Sequence, residues 1–269
     1  MTWILIAANV AAFVWMRGRG SEGFERAVFQ YSAIPQNIVG EDVTVLMFEE
    51  RPIAAILPNS VPVVYREDYE PEYLRVRETP DGPRWFYLGT PLDVVPQEVP
   101  AWLTLFTAMF MHAGWMHLIG NMWFLFVFGS SVEDTLGRIT YLGFYLVCGL
   151  VASAAQLAHD VHGVVPTLGA SGAIAGVMGA FAVRFPGAQI LTIIPIILWT
   201  IAHIPAWIFM LIYVGMQVFM SVAHASDTGG VAWWAHIGGF AGGYFLIRWF
   251  PVAKAWKTVF SRSRHDPFS

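Results

Sequence analysis

Charged residues are scarce in this chain of 269 residues. Asp, Glu, Lys and Arg make up 13% of it, hydrophobic residues make up 56%, and the mean hydropathy is +0.55. A soluble domain has about 25% charged residues, so this chain lacks the polar surface that a water-exposed globule needs. The composition argues against a cytosolic enzyme and indicates a membrane protein.

Cysteine and basic residues are scarce as well. The single cysteine, Cys148, lies in an apolar stretch, which excludes a disulfide framework, a CxxC motif and a thiolate metal cage. The net charge of −4 and the pI near 6.0 offer no basic surface for nucleic acid. We therefore expect no nucleic-acid partner, no metal and no cofactor.

Long runs contain no charged residue at all. Each is at least as long as the roughly 20 residues that a helix needs to cross a bilayer. The five runs comprise residues 99–132, 139–159, 161–183, 185–226 and 228–247.

Two of the apolar segments need interpretation. Prolines interrupt the run 185–226, so that Ala206–Ala223 alone is predicted as a spanning helix, while residues 189–200 are too short to cross and are predicted in or near the interface. Residues 2–16 are predicted as a first membrane helix, because neither the basic region nor the cleavage site of a signal peptide accompanies them. The count is then six spans.

Residues 17–98 differ in character and are predicted as an aqueous insert. They carry 8 Arg and 14 acidic residues, and Asp81-Gly82 separates two alternating runs in a predicted β-hairpin over residues 73–88. The basic tail, residues 251–269, predicts that both termini are cytoplasmic and that the insert lies outside, in an inner (cell) membrane protein. The predicted fold class is an all-α polytopic membrane protein, a bundle of six transmembrane helices with a long extracytoplasmic first loop.

Polar groups at membrane depth are costly and are functional candidates. The first cluster contains His112, His117 and Asn121, of which the last two are four residues apart and share a helix face. A hydrogen bond between helices is the alternative explanation for this cluster.

The second cluster surrounds Ser171. Gly172, Gly176 and Ala180 form a stripe of small residues that lets membrane helices approach closely, and packing alone would explain it. Gly169 precedes the serine, but the segment lacks the last glycine of a G-x-S-x-G nucleophile elbow.

The third cluster centres on His236. Gly239 and Gly243 leave nearly bare backbone on the face that carries the imidazole. A helix of this kind packs against another helix of small residues, and the Ser171 helix is the expected partner.

All three clusters lie near the starts of the even-numbered spans, which begin on the same, outer side of an up-down bundle. A serine and a histidine that meet there are the minimum for nucleophilic catalysis, since the imidazole accepts the hydroxyl proton while the oxygen attacks a carbonyl. The Asn121 amide, the His117 ring and the Ser171 backbone N–H are candidate donors to the oxyanion. No Asp or Glu occurs in spans four to six, which points to a dyad of Ser171 and His236.

At these residues the sequence resembles the rhomboid family of intramembrane serine proteases. The resemblance covers spans two to six. It is carried by the His-x-x-x-Asn motif of His117 and Asn121 after His112, by Gly-x-Ser-Gly at 169–172, by Ala235-His236 followed by Gly239 and Gly243, and by the segments 102–111 and 132–137.

The resemblance implies a rhomboid-like bundle and a catalytic core at residues 99–250. It further implies that Ser171 is the nucleophile and His236 the general base, with Asn121 and His117 stabilising the oxyanion. The implied substrates are transmembrane proteins in the lipid bilayer, cut near the outer membrane boundary. Ala175 departs from the family, because some members carry a tyrosine there that stacks on the catalytic histidine.

Two other functions are considered. A non-catalytic rhomboid-like protein that binds client helices would need neither Ser171 nor His236. A transporter or metal channel built on His112, His117 and His236 is disfavoured, because no acidic residue lies mid-span and metal sites usually add a carboxylate or thiolate. Gln217 and Ser221 in span five are predicted to make hydrogen bonds between helices.

Overall fold

The computed structural model describes residues 1–40, 43–48, 51–56, 63–64, 73–80, 82–95, 99–194, 200–223 and 231–253. The predicted basic tail beyond residue 253 and Asp81 of the predicted turn lie outside these residues.

Helices form most of the described chain. They are α1 (Thr2–Arg17), α2 (Gly20–Tyr31), α3 (Pro35–Ile38), α4 (Ala101–Thr107) with a 3-10 turn (Ala108–Phe110), α5 (Trp115–Leu136), α6 (Arg138–His159), α7 (Ser171–Arg184), α8 (Ala206–Ala223) and α9 (Trp233–Leu246).

Helix length separates the predicted spans into two groups. Within the described residues, three helices are long and apolar enough to cross a membrane, namely α5, α6 and α8. Helix α1 is apolar but has 16 residues, and α7 and α9 have 14 residues each. Because the uncharged runs also contain loop residues before α5, α7 and α9, the helices are shorter than the runs that predict them.

Helix α7 lies at the centre of the bundle, packed between α6 and α9. Buried aromatic side chains of the neighbouring helices, Phe128, Tyr141, Phe144 and Tyr145, belong to the same apolar core as the α7 side chains. At the far end of α7 from Ser171, Arg184 Nη2 donates to the Ile247 carbonyl oxygen (3.0 Å).

In the part of the chain that the structure describes, strands form three sheets, so the prediction of an all-α protein is wrong outside the bundle. Their bounds are β1 (Thr44–Phe48), β2 (Arg51–Ile56), β3 (Val63–Val64), β4 (Leu74–Thr79), β5 (Gly82–Tyr87), β6 (Thr90–Pro91), β7 (Asp93–Val95), β8 (Gln189–Ile194) and β9 (Thr200–Pro205).

The insert contains two of the sheets, with strand orders β3-β2-β1-β7 and β4-β5-β6. The predicted hairpin is confirmed, since β4 and β5 pair antiparallel from Leu74 opposite Tyr87 to Thr79 opposite Gly82. Gly82 has φ +105°, a conformation that glycine adopts at little cost and that a turn of this kind requires.

The third sheet is the antiparallel hairpin β8-β9 between α7 and α8. Its strands are rich in Ile and Thr, whose β-branched side chains favour extended backbone. The predicted non-spanning segment is therefore half of a hairpin.

The insert is joined to the bundle on the side that carries Ser171. Phe24 of α2 packs against Phe13 and Met16 of α1 and belongs to one apolar cluster with Leu118 of α5. The Thr107 hydroxyl donates a hydrogen bond to the Tyr31 carbonyl oxygen (2.6 Å). The insert is thus continuous with the core at this end of the bundle.

Candidate active site

Ser171 is the first residue of α7, at the end of a loop that several hydrogen bonds hold in place. Ala33 and Thr167 bridge the insert to this loop through reciprocal backbone hydrogen bonds of 3.0 and 2.8 Å. Two residues later, the Gly169 N–H donates to the Ala108 carbonyl oxygen (2.8 Å). The position of Ser171 therefore depends on the insert and on the turn before α5.

Gly169 is required by its conformation and by its neighbours. Its φ is +121°, and a Cβ added there would lie 2.8 Å from His117 Nε2 and 3.6 Å from Ser171 Oγ. Only glycine leaves room for the His117 ring beside the serine at this backbone conformation.

His236 lies in the first turn of α9, and close packing of α9 on α7 brings it to Ser171. A Cβ at Gly239 would overlap the Gly172 carbonyl oxygen, and a Cβ at Gly243 would overlap that of Gly176. The prediction that the glycine face of the His236 helix packs on the Ser171 helix is confirmed.

The two side chains are in hydrogen-bond contact. His236 Nε2 lies 2.8 Å from Ser171 Oγ, and both residues are half-buried. The other ring nitrogen, Nδ1, lies 2.8 Å from Gln217 Oε1 of α8. The Trp233 ring approaches the imidazole edge to face, with centroids 6.2 Å apart. A hydroxyl, an imidazole and an amide are thus aligned from α7 through α9 to α8.

The first predicted cluster lies at the start of α5 and in the loop before it. His112 is buried in that loop, and its ring lies edge to face with the His117 ring, with centroids 5.0 Å apart. Asn121 is buried, and its Nδ2 donates to the His117 carbonyl oxygen (2.9 Å). The structure thus brings His117 beside Gly169 and Ser171, and it satisfies one N–H of Asn121 within α5.

A small cavity, partly open to solvent, lies beside Ser171. Its wall is built mainly from small residues, among them Gly149, Ala152 and Ala235, with the polar side chains of Ser153 and Gln156. Gln156 Oε1 accepts the Ala235 N–H (3.3 Å), which holds the start of α9 against α6.

Within the described residues, no group of three or more His, Cys, Asp or Glu side chains is arranged to hold a metal ion. The polar groups near Ser171 are imidazoles, amides and hydroxyls. Chemically, this set can exchange protons and donate hydrogen bonds.

Sequence reasoning identified Gln217 but not its partner. The available signal was a single amide within an apolar helix, and the predicted bond between helices is confirmed. The same prediction for Ser221 is wrong, because Ser221 Oγ donates to the Val218 carbonyl oxygen (2.8 Å) of its own helix.

Comparisons with known proteins agree with the sequence resemblance. A sequence model of the Rhomboid domain matches residues 100–251. RHOMBOID-like protein 5 of Arabidopsis thaliana is 27% identical over 184 residues, which are 68% of this chain and 55% of that protein. Rhomboid protease GluP of Bacillus subtilis is 30% identical over 155 residues, 57% of this chain and 27% of that protein.

A chloroplastic Rhomboid-like protein 11 of Arabidopsis thaliana is 39% identical over 77 residues, 29% of this chain and 27% of that protein. Across these three relatives the matched part covers between 27% and 55% of the relative's length. The domain match, by contrast, covers more than half of this chain and contains α5 to α9 together with Ser171 and His236. The chain therefore belongs to the rhomboid family.

Proposed function

We propose that this protein is an intramembrane serine endopeptidase of the rhomboid type, which cleaves transmembrane proteins near the outer membrane boundary. The observation that carries the proposal is the 2.8 Å contact between Ser171 Oγ and His236 Nε2. Such a contact is the geometric requirement for a nucleophile and its general base. The rhomboid family is membrane-embedded, and GluP, a relative of this chain, is named a protease.

The first half of the reaction forms an acyl-enzyme. Ser171 Oγ attacks the carbonyl carbon of the substrate while its proton passes to His236 Nε2. The tetrahedral intermediate then collapses: His236 gives the proton to the leaving amine nitrogen, the C–N bond breaks, and the acyl group stays on Ser171.

The second half releases the acyl group. A water molecule attacks the ester carbon as His236 accepts one of its protons. The bond to Ser171 Oγ then breaks, and the proton returns from His236 to the serine oxygen. The residues thus end in their starting state, and no cofactor takes part.

Three donors serve the negative oxygen of each tetrahedral intermediate. The Ser171 N–H is in the first turn of α7, where backbone N–H groups have no acceptor within the helix and the helix dipole favours negative charge. The His117 ring lies beside Gly169, and Asn121 Nδ2 has a second N–H besides the one given to the His117 carbonyl oxygen. One such donor typically contributes about 3 kcal/mol to the transition state.

The substrate must be locally unwound before the attack, because a regular helix holds its carbonyl oxygens in hydrogen bonds to N–H groups four residues on. Transmembrane helices with small or helix-breaking residues near the outer boundary are therefore the proposed substrates.

The proposed topology has six spans, α1 and α5 to α9, with both termini in the cytoplasm of a cell (inner) membrane protein. Arg138, Arg184 and Arg248 all lie at the end of the bundle away from Ser171, which fits the excess of basic residues on the cytoplasmic side. We divide the chain into a first membrane helix (residues 1–16), an extracytoplasmic insert (17–98), a catalytic core (99–250) and a cytoplasmic tail (251–269).

The test uses the full chain, purified in detergent and reconstituted in liposomes. A fluorophosphonate probe and a model transmembrane substrate are offered to the wild type, Ser171→Ala and His236→Ala. Ser130→Ala is the matched control, because its hydroxyl bonds the Phe126 carbonyl oxygen on the exposed side of α5. Labelling and cleavage are expected in the wild type and the control, and neither is expected in the two site variants.

Cleavage that survives in Ser171→Ala would contradict the assignment of the nucleophile. A wild type that binds the substrate helix but neither cleaves it nor reacts with the probe would favour the client-binding function instead.

A further inference from the structure

Gln217 faces His236 from the neighbouring helix α8. Its side chain is 5% exposed, and its Oε1 lies 2.8 Å from His236 Nδ1, on the opposite side of the ring from Ser171. We propose that Gln217 is a positioning residue, whose amide oxygen accepts the Nδ1–H of His236 and so sets the tautomer that activates Ser171. This inference rests on the proposed function and names a residue of the same site.

The tautomer follows from the hydrogen-bonding capacity of the two partners. A neutral imidazole carries one N–H and one lone pair, and the group bonded at one nitrogen decides which nitrogen holds the proton. An amide oxygen accepts only, so the proton is held at Nδ1. Nε2 then presents its lone pair to Ser171 Oγ, which is the arrangement that a general base requires.

An amide in this position suits its surroundings in the membrane. An ionised carboxylate would have to be buried in α8, a helix whose residues carry no charge, and burial of a charge in a bilayer is costly. The amide provides the accepting oxygen without that cost. It stabilises the transient imidazolium less than a carboxylate would, because hydrogen bonds between charged groups are stronger.

Two other described residues near His236, Ala175 and Trp233, do not fix the rotation of its ring. Ala175, one turn after Ser171 on α7, is buried and ends in a methyl group, so it offers no ring for stacking. Trp233 meets the imidazole edge to face, a contact that is compatible with either tautomer. The directional contact opposite Ser171 is the one with Gln217.

Helix α8 thereby takes part in the chemistry through Gln217. Ser171 and His236 belong to α7 and α9, which their glycines hold in backbone contact, whereas Gln217 approaches the pair from a third helix. The protonation pattern of His236 therefore depends on the position of α8.

The test compares Gln217→Met and Gln217→Glu in the full chain in liposomes. Methionine is similar in length and has no strong acceptor, whereas the carboxyl group of glutamic acid, ionised or protonated, keeps an accepting oxygen and has no N–H to donate. The control is Ser221→Ala, one turn further along α8, where the hydroxyl is buried but bonds within its own helix. Three quantities are measured: the rate of fluorophosphonate labelling of Ser171, kcat and KM for a transmembrane substrate, and the melting temperature.

For Gln217→Met we expect kcat and the labelling rate to fall roughly 10- to 100-fold, the range that a lost buried hydrogen bond gives, with KM within about twofold. Gln217→Glu is expected to restore most of the loss, and Ser221→Ala to match the wild type. Restoration by Glu separates positioning from packing, because a purely structural role would not require an acceptor.

Gln217→Met with wild-type kcat and labelling would overturn the inference. Equal losses in Gln217→Met and Gln217→Glu would also overturn it, since the amide N–H would then be the group that matters. A wild type that neither labels nor cleaves overturns the proposed function together with this inference, so the two failures are distinguishable.

Discussion

The contact between α7 and α9 sets the distance from Ser171 to His236, and Gly243→Ala perturbs that contact two turns away from the chemistry. A Cβ at Gly243 would lie 2.6 Å from Gly176 Cα and still closer to the Gly176 carbonyl oxygen. Both atoms belong to backbone, which cannot move aside as a flexible side chain does. An ordinary carbon–carbon contact needs about 3.5 Å, so the two helices must separate by roughly 1 Å.

That displacement is large compared with the tolerance of the site. Added to the 2.8 Å between Ser171 Oγ and His236 Nε2, it gives about 3.8 Å, which is beyond a hydrogen bond. A misplacement of about 1 Å can lower the rate of an enzyme roughly 100-fold. Overpacking of this kind costs about 1–3 kcal/mol of stability. We therefore expect Gly243→Ala to lower kcat/KM about 100-fold and to lower the melting temperature.

The measurement is cleavage of a transmembrane model substrate in liposomes, with thermal unfolding of the same samples in detergent. Gly215→Ala on α8 is the matched control, because a Cβ there meets no atom within 4 Å. Its activity and melting temperature are expected to stay at or above those of the wild type, since alanine favours a helix over glycine by about 1 kcal/mol. Wild-type activity and stability in Gly243→Ala would refute the reasoning.

Three further predictions concern the loop before Ser171 and the orientation of the bundle in the membrane. Gly169→Ala places a side chain at φ +121° and 2.8 Å from His117 Nε2, so strain of about 1–3 kcal/mol should lower the rate of fluorophosphonate labelling at least about tenfold; an unchanged rate would contradict it. Thr167→Val removes the hydroxyl that donates to the Ala33 carbonyl oxygen of the insert (2.9 Å). The free energy of unfolding should fall by about 1 kcal/mol, measured as a lower melting temperature, and kcat should fall as well. No change in either quantity would show that the insert does not brace the loop before α7. In whole cells an impermeant maleimide should label Thr90→Cys in the insert but not Arg138→Cys at the start of α6, and the reverse pattern would invert the proposed topology.

The outline of the bundle was predictable because it depends on local properties of the chain. Charge-free runs indicate membrane helices wherever they occur, and a glycine stripe beside a polar residue predicts close packing on that face. For this reason the helices that carry His117, Ser171 and His236, and the contact between the last two, were expected from the order of residues alone.

Other features depended on which segments meet in space. The run before α8 is apolar and short, and such a run does not distinguish a strand from a helix until its partner is known, so the β8-β9 hairpin was missed. The actual helix lengths differ from the charge-free runs because loop residues are uncharged too.

The sequence by itself determined that this is a membrane bundle with a serine and a histidine at the same end, since residue type and spacing carry that information. Only the tertiary structure decided the partners: Gln217 hydrogen-bonds His236 across 19 positions, whereas Ser221, one turn later, bonds within its own helix. Both are polar residues in the same apolar helix. Their partners differ because the crossing of α8 and α9 brings one of them, and not the other, to the imidazole.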